Sequence, residues 1–134
     1  MSLKYVLDTN AWILTVESPG KIPAYVLAII SDMSNAPLGL SAISPWEVAK
    51  KVSIGKLDLS LPLRPWLVRA TKQEGLTVLP LSTEVCLEAN SLPGTFHRDP
   101  ADQIIVATAR LYKATLITSD KRILDYPHVA SLWG

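Results

Sequence analysis

The stretch HRDPADQIIVATARLYKATLITSD, residues 97–120, predicts a helix followed directly by a strand. Asp99 and Pro100 are typical of a helix N-cap and first turn. Apolar residues then recur at helical spacing along one face: Ala101, Ile104, Ile105, Thr108 and Leu111 or Tyr112. The helix is expected to end near Lys113. A strand over 115–118 follows, and a helix that leads into a strand in this way is typical of a parallel βαβ unit.

Helices and strands are also predicted to alternate before residue 97 and after residue 120. Strands are predicted at about 3–7, 38–40, 77–79 and 129–133, from short apolar runs bounded by turn residues. Helices are predicted to begin after 8–10 and to cover about 22–33, 44–53, 63–73 and 82–90. We therefore predict a single α/β domain over 1–134, in which helices flank a central, largely parallel sheet.

The composition favours a folded domain that does not enter membranes. Hydrophobic residues make up 49% of the 134 residues and charged residues only 19%, which excludes the composition of disordered chains. The longest apolar stretch, near 25–30, is far short of the ~20 residues that cross a bilayer. No signal peptide is evident, and the single cysteine, Cys86, cannot form an internal disulfide. We expect a cytoplasmic protein in which Cys86 is buried as a small hydrophobe.

Four acidic residues follow the predicted strands at equivalent positions. Asp8 follows the first strand, Glu47 opens the helix after the second, Asp102 lies in the first turn of the long helix, and Asp120 follows the fourth strand. In open parallel sheets this edge is where ligands bind. Clustered carboxylates repel one another unless a cation neutralises them, and oxygen ligands select Mg²⁺ or Mn²⁺. Such ions bind phosphate oxygens, so the pattern indicates a phosphodiester substrate.

Each of these acids also has a purely structural interpretation. Asp8 can cap a helix, Glu47 can close a capping box with Ser44, and Asp120 can begin a short helix. For Asp99 we favour the N-cap, with Asp102 as its capping partner in the structural alternative. Capping does not require four acids to converge at one end of a sheet, and their joint placement favours a metal site.

Blocks of sequence along nearly the whole chain resemble PIN-domain proteins of the VapC type. They are LDTN at 7–10, SAISPWEVAKK at 41–51, HRDPADQIIVATA at 97–109, LITSD at 116–120 and the closing YPHVASLW. The resemblance implies a PIN-like fold with Asp8, Glu47, Asp102 and Asp120 as catalytic metal ligands and Asp99 as an auxiliary. Gln103 departs from the pattern, since a basic residue is frequent there in relatives.

The same resemblance implies an activity and partners. It implies a Mg²⁺- or Mn²⁺-dependent endoribonuclease that acts as the toxin of a toxin–antitoxin pair, forms a homodimer and is inhibited by a cognate antitoxin. In that interpretation Thr9, Ser44 and Thr118 orient carboxylates or bind phosphate. RNA-backbone contacts are expected from four basic residues: Lys50, Lys51, Lys56 and Arg98. Their alternative is a solvated helix face in which Lys51 pairs with Glu47.

Two other functions fit parts of the pattern. A phosphatase of the haloacid dehalogenase type also has an Asp after its first strand, but its second Asp, two residues later, is Asn10 here. A non-catalytic PIN-like module that binds RNA or protein is the remaining alternative. Such a module is expected to have lost one or more of the four acids, and this sequence retains all of them.

Overall fold

A computed structural model describes residues 3–134, in which one five-stranded parallel sheet runs through the molecule. The strands are β1 (Tyr5–Leu7), β2 (Leu38–Ser41), β3 (Leu76–Leu79), β4 (Thr115–Ile117) and β5 (Ser131–Leu132). Their order across the sheet is β3-β2-β1-β4-β5, and every neighbouring pair is parallel. The predicted α/β fold with a parallel sheet is confirmed, although β5 is shorter than the 129–133 expected.

Seven α-helices connect and flank these strands within the described residues. They are α1 (Thr9–Glu17), α2 (Ala24–Ser31), α3 (Ile43–Ser53), α4 (Leu63–Thr71), α5 (Thr83–Ala89), α6 (Pro100–Leu111) and α7 (Lys121–Leu124). The helix predicted over 22–33 is shorter at both ends. Pro23 disfavours a helical conformation at the residue before it, and Asp32 accepts a hydrogen bond from the Ser34 N–H to begin a separate 3₁₀ turn.

The register of the sheet brings several strand ends to one edge. Leu7 of β1 lies beside Leu40 of β2 on one side and Ile117 of β4 on the other. The backbone N–H of Asp8 donates to the Ile117 carbonyl at 3.0 Å, so β1 and β4 stay paired up to their carboxyl ends. The residues that follow β1, β2 and β4 therefore project from the same edge of the sheet.

The sheet has a hydrophobic core on each face. Successive residues of β1 point to opposite faces of the sheet. Leu7 lies in the core formed with α1, α3 and α4, and Val6 lies in the core formed with α6. In the first core the rings of Trp12 and Trp66 are edge-to-face with centroids 5.1 Å apart. The Trp12 indole N–H donates to the Ala70 carbonyl at 3.0 Å, which ties α1 to the end of α4.

The long helix α6 buries most of its predicted stripe. Ala101, Ile105 and Thr108 are buried, whereas Leu111 is 40% exposed and Tyr112 is the residue that packs against the core. The expectation that Cys86 is buried is wrong, because the thiol lies on the solvent-facing side of α5. Within residues 3–134, no helix is long and apolar enough to cross a membrane.

The Trp12–Trp66 contact generates a stability prediction. We expect Trp12→Phe to lower the free energy of unfolding by about 1–3 kcal/mol, because the smaller ring leaves space against Trp66 and loses the hydrogen bond to Ala70. Trp46→Phe is the matched control, since Trp46 is 58% exposed, and it should change stability by less than about 0.5 kcal/mol. Urea denaturation of both variants measures the difference, and equal stabilities would contradict this account of the core.

Candidate metal centre

Asp8 lies at the carboxyl end of the central strand and is almost completely buried. It is the N-cap of α1, and its carboxylate accepts hydrogen bonds from the Ala11 N–H at 2.7 Å and from the Thr118 hydroxyl. Burial raises the pKa of Asp8 to about 6, against the effect of those two hydrogen bonds and with help from the charges of Glu47 and Asp120. The Asp8 side chain therefore caps α1 and also belongs to the acidic cluster.

Glu47 lies in the second turn of α3 and is held by a hydroxyl from α1. The helix begins at Ile43 with Ala42 at its N-cap, so the predicted capping box between Ser44 and Glu47 is wrong. The Ser41 hydroxyl accepts from the Ile43 N–H at 3.2 Å and thereby starts the helix earlier than expected. The Thr9 hydroxyl donates instead to Glu47 Oε1.

Ser44 contributes to the same arrangement from inside the helix. It is fully buried, and its hydroxyl oxygen lies 2.8 Å from that of Thr9. Because the Thr9 proton is engaged with Glu47, the Ser44 hydroxyl is the donor in this contact. Ser44 and Thr9 therefore form a short chain of hydrogen bonds that ends on the Glu47 carboxylate, and the orienting role expected for them remains a prediction.

Asp99 and Asp102 occupy the start of α6. Asp99 is its N-cap, as expected, and accepts from the backbone N–H groups of Ala101 and Asp102. Asp102 faces the cluster with its side chain 16% exposed. Burial is the main cause that raises the pKa of Asp102 to about 7, and the charges of Asp99, Glu47 and Asp120 add to it while Arg122 opposes it.

Asp120 follows β4 and begins α7, where it pairs with an arginine. Its carboxylate accepts from the Arg122 backbone N–H at 2.9 Å and from the guanidinium Nη2 at 3.1 Å. Burial opposes ionisation of Asp120, but the hydrogen bonds and charge of Arg122 outweigh it and lower the pKa. The Asp120 N–H donates to the Thr118 hydroxyl oxygen at 3.0 Å, so Thr118 joins Asp120 to Asp8.

The four predicted acids come together in one pocket of ≈ 260 Å³, which we call the acidic pocket. Its lining consists of Asp8, Thr9, Asn10, Glu47, Lys51, Asp99, Asp102, Ser119, Asp120 and Arg122. All four acids therefore share a cavity, as their positions after the strands predicted. Their role as metal ligands remains a prediction.

His97 and Arg122 belong to the site, although neither was predicted to have a role there. His97 lies in the loop before α6, and its Nε2 is 3.2 Å from Asp102 Oδ2. Ligand atoms of His97, Asp102 and Asp120 all lie within 4.8 Å of one another. Gln103, which departs from the family pattern, donates to the His97 carbonyl at 3.1 Å and holds this loop on α6. The polar run His97, Arg98 and Asp99, directly before α6, is the feature of the sequence that could have indicated a role for His97.

The predicted RNA-contacting residues divide into two pairs. Lys51 lines the acidic pocket, and Lys50 and Lys51 both line a neighbouring pocket. Lys56 and Arg98 are exposed and lie outside the lining of these two pockets. For the described part of the chain, no ion pair of 4.0 Å or less joins Lys51 to Glu47, so the structural alternative for Lys51 is not supported.

This fold has counterparts among known proteins. The family model of the PIN domain matches residues 5–129, and the chain therefore belongs to the PIN domain family. Within that family it is 32% identical to Ribonuclease VapC22 of Mycobacterium tuberculosis over 91 residues, which cover 68% of this chain and 68% of that protein.

Solved structures of toxin–antitoxin proteins share the fold. VapBC2 from Rickettsia felis, bound to a DNA fragment from their promoter, includes a chain with a TM-score of 0.71 at 18% identity, covering 98% of this chain and 100% of that chain. A toxin-antitoxin complex from Klebsiella pneumoniae gives a TM-score of 0.60 at 20% identity, with 95% and 96% covered. These likenesses bear on the fold alone.

The clustered carboxylates generate a prediction for the metal-free protein. An acid whose pKa is raised in the folded state destabilises the fold when it ionises, so stability falls as the pH rises from about 4 to above 7. We expect Asp102→Asn in EDTA to raise the melting temperature by roughly 3–8 °C at pH 8, with a smaller gain at pH 4.

The matched control is Asp58→Asn, which removes an exposed carboxylate outside the acidic pocket and should leave the melting temperature nearly unchanged. Differential scanning fluorimetry at the two pH values is sufficient. A lower melting temperature for Asp102→Asn at pH 8 would show that this side chain stabilises the helix start more than it repels its neighbours.

Proposed function

We propose that this protein is a metal-dependent endoribonuclease that acts as the toxin of a toxin–antitoxin pair in the cytoplasm. The observation that carries the proposal is the convergence of Asp8, Glu47, Asp102 and Asp120 in one pocket at the carboxyl edge of a PIN-domain sheet. The name of the 32% identical relative, a ribonuclease, supports an RNA substrate. A non-catalytic module is expected to have lost one or more of the four acids, and this sequence retains all of them.

The donor set of the pocket fits Mg²⁺ or Mn²⁺. The four candidate ligands are carboxylates, which hard divalent cations prefer, and the described part of the chain places no thiol in the pocket lining. Burial is the main cause of the raised pKa values of Asp8 and Asp102, and repulsion from the neighbouring carboxylates adds to it. A divalent cation relieves that repulsion, so we assign Asp8, Glu47, Asp102 and Asp120 as its ligands, directly or through water.

The protein's own residues would orient the ligands and the substrate. Thr118 and Thr9 each donate to one oxygen of a carboxylate, Asp8 and Glu47 respectively, which fixes the direction of the other oxygen. Lys51 and Arg122 place positive charge on the lining of the pocket, where they can bind phosphate oxygens of RNA. The bound cation would lower the pKa of a water nucleophile and neutralise charge on the scissile phosphate.

Cleavage assays test the nuclease and its ligands together. We expect RNA cleavage with Mn²⁺ or Mg²⁺ that EDTA abolishes. The variants Asp8→Asn, Glu47→Gln, Asp102→Asn and Asp120→Asn should each lose more than about 100-fold in rate, since even residues behind metal ligands typically contribute 10- to 100-fold. Asp99→Asn should lose less, because its carboxylate is engaged as the N-cap of α6.

Asp58→Asn is again the matched control, and it should cleave at the parental rate. The purification must exclude contaminating nuclease, which the Asp8→Asn protein prepared in parallel detects. Undiminished cleavage by both Asp8→Asn and Asp102→Asn would rule out this metal centre. RNA binding without cleavage under any metal condition would favour the non-catalytic PIN-like module.

The toxin assignment predicts a protein partner encoded by a neighbouring gene. Chains from VapBC2 of Rickettsia felis and from the Klebsiella pneumoniae toxin-antitoxin complex share the fold, and the acidic pocket offers carboxylates to a basic segment. Arg122 pairs with Asp120 and lies 3.6 Å from Asp102, which leaves Asp8 and Glu47 as partners for an Arg or Lys of the antitoxin. We also expect the toxin to form a homodimer.

We expect the antitoxin to inhibit cleavage competitively with Mn²⁺ and less effectively at high salt, because screening weakens the contact between opposite charges. The complex should melt at a higher temperature than the toxin alone, since binding favours the folded state. Co-expression with the neighbouring gene, pull-down, metal titration and a growth assay measure these effects. A chain that is harmless alone and captures no such partner would overturn the toxin assignment and leave the nuclease assignment intact.

A further inference from the structure

A second pocket opens beside the acidic pocket, between the first turns of α3 and α6. Its apolar walls are formed by Ile43, Trp46, Pro100, Ala101 and Ile104. Its volume of ≈ 400 Å³ lies within the range of about 300–1,000 Å³ in which proteins bind small ligands. We call it the Trp46 pocket. Ile43 and Ile104 also pack against the hydrophobic cores, whereas Trp46 contributes to none of the core clusters of the described residues.

Trp46 is the unusual residue of this pocket. Trp12 and Trp66 are buried in the core, whereas Trp46 is 58% exposed and directly precedes Glu47 in α3. The core-facing positions of this helix are Ser44 and Val48, so packing of α3 against the sheet does not require an aromatic side chain at position 46. Its indole face is available to a ligand in the pocket.

The two pockets adjoin each other. Glu47, Lys51 and Asp99 line both of them, so a group seated in the Trp46 pocket lies one shared wall away from the carboxylates. In a nucleotide, a planar base is likewise joined to a phosphate that lies close beside it. A planar apolar group joined to an anionic backbone therefore fits across both pockets at once.

The charge of the surrounding surface agrees with this geometry. Lys50 and Lys51 line the Trp46 pocket and place positive charge beside its apolar walls, while its two acids, Glu47 and Asp99, lie on the lining shared with the acidic pocket. A polyanion that crosses the pocket would gain contacts to these ammonium groups. An apolar protein segment gains nothing from them, which is why the observations favour RNA over a protein occupant.

We propose that an unpaired base of the RNA, next to the scissile phosphate, enters the Trp46 pocket and stacks on the Trp46 indole, and that this contact sets the base preference of cleavage. The proposal rests on the nuclease function proposed above. Bases in single-stranded RNA stack on aromatic side chains in this way, while neighbouring basic residues hold the backbone.

Cleavage of short oligoribonucleotides that differ at one base beside the cleaved bond tests the preference. Trp46→Ala should lower kcat/KM roughly 5- to 100-fold and flatten the preference, because the stacking contact of one base is lost. Trp46→Phe keeps an aromatic face and should lose less. Leu87→Ala is the control, since Leu87 is 66% exposed and lies on α5 outside the lining of both pockets.

An abasic substrate identifies the occupant directly. Removing the base that the pocket receives should slow the parent protein by the same factor as Trp46→Ala, and should cause almost no further loss in Trp46→Ala. If the abasic site slows the parent and Trp46→Ala equally, the base does not bind in the Trp46 pocket, and the proposal is overturned while the nuclease function stands.

A binding measurement separates this proposal from the nuclease proposal. In the Asp8→Asn background, titration with an unstructured oligoribonucleotide should change the tryptophan fluorescence, and Trp46→Phe should remove that change. If no RNA is cleaved by the parent, the nuclease proposal fails, and this titration alone decides the base site. A titration without response, with Trp46→Ala altering only the sedimentation of the protein or its capture of the antitoxin, would overturn the base site in favour of a protein occupant.

Discussion

Repulsion among carboxylates at the carboxyl edge of a parallel sheet is the constraint on which the site of this protein depends. Asp8, Asp102 and Asp120 come from three different elements, and the sheet places the ends of those elements close together. Burial deprives the carboxylates of hydration and is the main cause that raises the pKa values of Asp8 and Asp102, and repulsion between the neighbouring acids adds to it. The fold therefore holds a cavity that is poorly neutralised by the chain itself.

Hydroxyl groups behind the carboxylates maintain this arrangement. Thr118 contacts both Asp8 and Asp120, and Thr9 contacts both Glu47 and Ser44. Thr118 directly follows β4 and Thr9 begins α1, so the orientation of the acids is coupled to the packing of the strands and helices. Arg122 provides the compensating charge at the solvent side, where it can remain hydrated while it pairs with Asp120. The carboxylates are thus held by hydrogen bonds on the buried side of the pocket, and groups of both charge signs lie on its solvent side.

The sequence predicted the parallel α/β fold and the convergence of the four acids, because both follow from local patterns and from the topology of βαβ units. It failed where long-range contacts decide the outcome. Ser44 has the type and position of an N-cap, yet the Ser41 hydroxyl starts the helix and leaves Ser44 to donate to Thr9. His97 and Arg122 enter the site through turns whose course no periodicity reveals, and the exposure of Cys86 depends on which face of α5 packs against α6.

The position of β1 at the centre of the sheet has a consequence for biosynthesis. The strand β1 can pair with β4 only after more than a hundred further residues have been synthesised, and the hydrogen bond between Thr118 and Asp8 spans a separation of 110 residues. Contacts this distant in sequence form late in folding, because the intervening chain must first be ordered. Nascent or truncated chains that end before β4 lack Thr118 and Asp120, and so lack an assembled acidic pocket.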